Sequence, residues 1–198
     1  RNSLTAVGYQ ALQVFNGTGT AVAVGYEAGK ALTTGYNFTA LGYQAALAST
    51  TAGNIVAVGS GARQSNTSGA QNVAVGHGSQ ASTTTGTHNT AVGDNSFIFN
   101  TTGGSNTCLG SFAGQHLLTA DANTFVGSYA GAGITGAKLT GAFNTSVGYQ
   151  AGLKLQGGAD QNCTFGAGSG NAITTGDNNT GVGINALTAL MICREKLP

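Results

Sequence analysis

Asn89-Thr90-Ala91-Val92-Gly93 is the phrase on which the fold turns, because near copies of it recur along the chain in fixed register. With its glycine taken as position zero, the equivalent residues are Gly8, Gly25, Gly42, Gly59, Gly76, Gly93, Gly110 and Gly127, each 17 residues after the last. Gly148, Gly166 and Gly183 follow at intervals of 21, 18 and 17. A self-similar period of this kind is the mark of a repeat architecture, in which each unit packs only on its neighbours.

Working outward from the glycine, position −1 is apolar in every repeat, from Val7 and Val24 through Leu41, Val92 and Leu109 to Phe165 and Val182. This column is expected to form the core. Position −3 lies on the same face of the strand and is Thr or Val in all repeats but that of Cys163, which suits a short β-strand. Position −2 faces the other way and is Ala in the first six repeats, then Cys108, Phe125, Ser146, Thr164 and Gly181. Its small, mostly apolar side chains are expected to form an outer face that packs against other copies. Position +3 is always Ala or Ser, as a chain turning inward requires.

About ten residues after the glycine comes a Thr-Thr-Gly corner, clearest at Thr84-Thr85-Gly86 and Thr101-Thr102-Gly103; glycine there is expected to take positive φ. An asparagine at −4, such as Asn72, Asn106, Asn123, Asn144 or Asn179, opens the next strand, and Asn37 and Asn54 look displaced by one residue. A unit of 17 residues is too short for a helical hairpin repeat of roughly 33 or 34. The expected fold is therefore all-β, a parallel β-solenoid of about eleven coils over residues 1–187. At about 4.8 Å per rung it makes a rod on the order of 50 Å long. An insertion near residues 131–143 breaks the period, and residues 188–198 leave the repeat as a C-terminal tail.

Composition fits an elongated object. The chain has 34 glycines, 7% charged residues, no tryptophan and a single proline, Pro198. Its net charge of +1 supplies no basic stripe, which argues against nucleic-acid partners. No apolar run reaches the length of a membrane span, so membrane insertion is not expected, and the chain reads as a mature or excised fragment. Cys108, Cys163 and Cys193 are scattered through the repeat without ligand spacing, which excludes a zinc site. Cys108 and Cys163 are read as small apolar fillers, and no cofactor or metal is expected.

Two families share these phrases. Asn54-Ile55-Val56-Ala57-Val58-Gly59-Ser60-Gly61-Ala62 resembles the head repeat of trimeric autotransporter adhesins, and Asn144-Thr145-Ser146-Val147-Gly148-Tyr149-Gln150-Ala151 resembles repeats of phage tail-fibre proteins. The resemblance covers about residues 2–187. It implies a homotrimer of left-handed β-rolls, forming a stalk at a virion, extracellular or cell surface that serves attachment to a host glycan or protein receptor. The coil is longer than the typical adhesin-head coil, and residues 188–198 do not resemble the chaperone domain that often ends such fibres. Val7-Gly8-Tyr9-Gln10-Ala11-Leu12 also fits the hexapeptide of β-helix acyltransferases, but those need three hexads per coil and only one matches here.

Candidate sites follow from stacking. Column +1 places Ser60, His77 and Asp94 on successive rungs, in the order of a hydrolytic triad; a flat face without a pocket or oxyanion hole favours a solvent-facing corner instead. The same column stacks Tyr9, Tyr26 and Tyr43, either as aromatic faces for sugar rings or as a self-stabilising ladder. Thr90, Thr107, Thr124 and Thr145 form a consecutive column of the kind an ice-binding surface uses, although sharing the valine face should turn them inward. His88 and His116 read as solvated loop residues. The expectation is a non-enzymatic structural rod, with a filament built through open solenoid ends as the rival assembly.

Overall fold

The computed structural model describes residues 3–134 and 136–188. Residues 189–198 of the proposed tail, including Met191-Ile192-Cys193-Arg194-Glu195-Lys196, lie outside the described residues.

Eleven short strands form one sheet in sequence order. They are β1 (Ser3–Val7), β2 (Thr20–Val24), β3 (Phe38–Leu41), β4 (Ile55–Val58), β5 (Asn72–Val75), β6 (Thr90–Val92), β7 (Thr107–Leu109), β8 (Thr124–Val126), β9 (Thr145–Val147), β10 (Cys163–Phe165) and β11 (Thr180–Val182). Each pairs in parallel with the next, and equivalent repeat positions face one another, as Thr90 does Thr107 and Val92 does Leu109. This is a parallel β-solenoid with one strand per coil, as the period predicts. The zero-position amide carries the ladder past the strand end, as in Gly93 N–H to Val75 O at 2.8 Å.

The insertion is absorbed without loss of register. β8 and β9 still pair Thr124 with Thr145, while the extra residues bulge outward around an antiparallel bridge between Ile134 and Ala137. Leu139 then returns to the stack between Leu117 and Gly157.

Two expectations about side-chain direction are reversed. In β2 the pattern alternates so that Ala21 and Ala23 are buried and Thr20, Val22 and Val24 are exposed. The −2 column is thus the interior: Ala23, Ala40, Ala57, Ala74, Ala91, Cys108 and Phe125 are all fully buried. The −1 column is on the outside, with Val24 and Val92 each 38% exposed. Cys163, at −3, shares that outer face and is only half-buried, unlike the buried filler Cys108. The physical reason is the thinness of the coil. Small residues predominate where the strand closely faces the opposite wall, Phe125 being the exception, and the +3 residues are small and buried, as at Ala28, Ala62, Ser96 and Ala130.

The volume inside is filled from positions +4 and +7. Leu32, Leu117, Leu155 and Ile173 at +7, together with Leu139, are fully buried. Position +4 complements −2 within the same coil. Where −2 is large, +4 is glycine: a Cβ on Gly131 would lie 2.5 Å from the ring of Phe125, and one on Gly114 would lie 2.5 Å from Cys108 Sγ. Where −2 is Ala, +4 is large in four of the six coils, as Leu12, Arg63, Gln80 and Phe97, and small in the other two, as Gly29 and Ala46.

The corners also differ from expectation. Gly86 and Gly103 in the Thr-Thr-Gly corners do not have positive φ; they are small because the next coil's backbone stands against them. Left-handed residues occur instead at +2, +4 and −5, the last including Asn37, Asn54, Gln71 and His88. Asn37 and Asn54 are therefore not slipped: they belong to the −5 column, and Phe38 and Ile55 hold the −4 places, paired with each other and with Asn72.

Candidate functional site

Three side-chain columns run along the rod. Inside, the −4 asparagines form a continuous ladder in which each Oδ1 accepts the main-chain N–H of the next: Asn72 from Asn89 at 2.8 Å, Asn106 from Asn123 at 3.0 Å, Asn123 from Asn144 at 2.9 Å and Asn162 from Asn179 at 3.1 Å. Their amides donate to corner carbonyls, as Asn89 Nδ2 does to Gly103 O at 2.8 Å and Asn144 Nδ2 to Ala159 O at 2.7 Å. At the Thr-Thr-Gly corner the first hydroxyl donates to the carbonyl one coil on, from Thr33 to Thr50 at 2.9 Å and from Thr84 to Thr101 at 3.1 Å.

The third column is aromatic. Tyr9 and Tyr26 stack with centroids 5.2 Å apart, and Tyr26 and Tyr43 at 5.3 Å. Each inner ring face is covered by a neighbouring ring, so what the stack offers to solvent is edges and hydroxyls, plus the outermost faces.

Higher in the same column, His77 Nδ1 lies 2.9 Å from Asp94 Oδ1 in an exposed pair. Among the described residues, no hydrogen bond joins Ser60 to His77. Ser60 and His77 line the same shallow concavity of about 270 Å³, together with Tyr43, Gln44 and Asn95. The structure thus brings the histidine and acid together and leaves the serine as a neighbour. His116 is half-buried rather than freely solvated, and burial lowers its basicity. Among the described residues, no group of three or more His, Cys, Asp or Glu is placed to hold a metal ion, and no helix is long and apolar enough to cross a membrane.

Sequence reading missed the polar interior of the middle coils. Arg63 is fully buried and meets no carboxylate. Its guanidinium donates to Gln80 Oε1, to Asn66 Oδ1 and, at 3.0 Å, to Gly69 O. Burial pushes its pKa down to about 9, so it remains charged at neutral pH. The available signal was the run of polar residues at +4 and +7, Arg63 with Asn66 and then Gln80 with Thr83, where most other coils carry apolar or small residues at both places.

Cys108 gives a pH prediction. Burial raises its thiol above the ordinary 9.0, so the folded state keeps a proton that the unfolded chain loses above about pH 9. Its contribution is constant below that pH and turns unfavourable above it, by about 1.4 kcal/mol per pH unit. Cys108→Ala, which installs the residue of the first six coils, should therefore gain stability relative to the parent chain as pH rises from 9 to 10. Denaturant midpoints of the two proteins across that range check it.

Comparison with protein-family models, with curated proteins and with solved structures finds no match to the chain.

Proposed function

We propose that the chain is a non-enzymatic structural rod, a segment of a fibre or surface adhesin of the kind its repeats resemble, working as a homotrimer at a virion or cell surface in support of host attachment. The observation that carries this reading is the outward face of the sheet. A column of Val, Leu and Phe at −1 runs the length of the rod beside Thr and Val at −3, and Val7, Val22, Val24, Val92, Phe165 and Val182 are all exposed large apolar residues. A contiguous apolar stripe of this length marks an interaction surface, and two further copies of the same stripe are its natural cover. The interior ladders supply stiffness, and the hydroxyl- and amide-rich corners remain for solvent.

Light scattering tests the assembly. A mass of three chains is expected, falling to one in Val75→Asp/Val126→Asp with the β-sheet spectrum retained, because two carboxylates placed on the stripe oppose its burial. A monomeric parent chain sinks the trimer, and open-ended growth favours the filament built through solenoid ends.

One observation favours a second reading. Thr90, Thr107, Thr124 and Thr145 pair rung by rung on the outer face of the sheet, so the inward turn expected of them does not hold. A regular hydroxyl and methyl array on a parallel sheet suits ordered water, as in an ice-binding surface. Thermal hysteresis in a dilute monomeric sample supports that reading; its absence removes it.

A further inference from the structure

At the insertion the regular surface gives way to a built concavity. Position +6 points outward along one edge and carries Ser82, Phe99, His116 and Lys154, with Gly133 standing between the last two. Gly133 sits directly over His116, where a Cβ would lie 2.9 Å from His116 Cβ. Beside it lies a hollow of about 360 Å³ bounded by Gln115, His116, Tyr129, Gln150 and Lys154. This volume falls in the range of small-molecule sites, roughly 300–1,000 Å³.

Its walls carry a particular chemistry. Tyr129 is stacked on Phe112 with centroids 5.0 Å apart, so its ring is braced from one side. Gln115 and Gln150 bring two amides, each able to donate and accept. His116 is braced in the same way by Phe99 at 5.1 Å.

Charge singles out the place. Among the described residues, Lys30 is paired with Glu27 and Arg63 is buried. Lys138 and Lys154 are the exposed cations that meet no carboxylate. Lys154 lines this hollow, and Lys138 lines a second one of about 430 Å³ on the other side of His116. The described carboxylates are engaged elsewhere: Asp94 with His77, and Asp121, Asp160 and Asp177 with main-chain N–H groups.

We propose that the hollow beside Gly133 binds a pyranose sugar carrying a carboxylate, with Tyr129 as the platform for the ring, Gln115 and Gln150 meeting its hydroxyls, and Lys154 meeting the carboxylate. An aromatic ring offers the apolar face that a sugar's C–H groups need, and paired amides select among hydroxyls. The unpaired lysine gives the anionic sugar its advantage over a neutral one. The site lies on a corner rather than on the apolar sheet face, so it goes beyond the rod's assembly and does not depend on it.

Saturation-transfer NMR on the full chain with D-galacturonate and D-galactose tests the proposal. Galacturonate is expected to bind about tenfold more tightly than galactose, as one charge-assisted hydrogen bond provides. Lys154→Gln should erase that preference, Tyr129→Ala should lose both sugars, and Tyr129→Phe should retain both; Lys138→Gln serves as the charge control. The proposal is overturned by equal binding of the two sugars, by no transfer to either, or by acetate competing as well as galacturonate, which would mark an unspecific anion cleft. The scattering mass of the same samples separates the two ideas. Sugar binding by a monomer keeps the site and removes the trimer, while a trimer without sugar binding does the reverse.

Discussion

Gly93→Ala should unfold the middle of the rod, lowering stability by about 4 kcal/mol through strain and overpacking together. The zero-position glycine has a φ of 133°, and a Cβ built on it would stand 2.5 Å from the carbonyl of Gly110 one coil on. The obstacle is backbone, itself hydrogen-bonded into the ladder, so it cannot turn aside. Gly61→Ala is the informative contrast. Its φ of 65° lies in the left-handed region that Gln44 and Glu27 already occupy at the same position, and the nearest atom to a new Cβ is 3.9 Å away. That substitution should cost only about 1 kcal/mol. Urea denaturation of the two variants separates stacking from conformational preference, and equal losses would contradict the argument.

Asn123→Ala is expected to be comparably damaging. Its Oδ1 accepts from Asn144 N–H at 2.9 Å and from Asn144 Nδ2 at 3.0 Å, and its own Nδ2 donates to Gly141 O at 3.1 Å. Truncation strands these groups in a fully buried place. At about 1–3 kcal/mol for each unsatisfied group the loss reaches about 4 kcal/mol. Asn37→Ala, which breaks exposed contacts with Thr20 and Asn54 and puts an alanine in the left-handed region, should cost only about 1 kcal/mol. Hydrogen exchange gives a local check: the Asn144 amide should lose its protection in the first variant and keep it in the second.

The period, the strand in each coil and the corner at zero were legible because a solenoid writes its register directly into the spacing of Gly8 through Gly127. Direction was not. Val92 and Ala91 are both apolar and adjacent, and assigning the larger residue to the interior is right only where the interior has room. The correct assignment was present in a subtler form, the exchange of size between Phe125 and Gly131 or Cys108 and Gly114, which only facing residues require. The polar interior was hidden for a related reason. Arg63 and Gln80 would ordinarily be surface residues, and nothing in their own types reveals that position +4 points inward. The hollow beside Gly133 depends on the path of a bulge, which the four extra residues announce but do not describe.

The polar middle also bears on mechanics. The apolar interior is divided into two clusters, one from Leu12 to Ala74 and one from Ala91 to Ile173, with Arg63, Asn66, Gln80, Thr83 and Asn100 buried around the division. Because each coil touches only its neighbours, a pulling force along the axis is borne in series, and the extension at which the rod yields is set by its weakest junction rather than by its average. The junctions near Arg63 and Gln80 trade dispersion contacts for short-range hydrogen bonds, which are stiff but break over a small displacement. Under load such a rod is expected to part there first, so force spectroscopy should give a first rupture near the middle of the chain and not at either end.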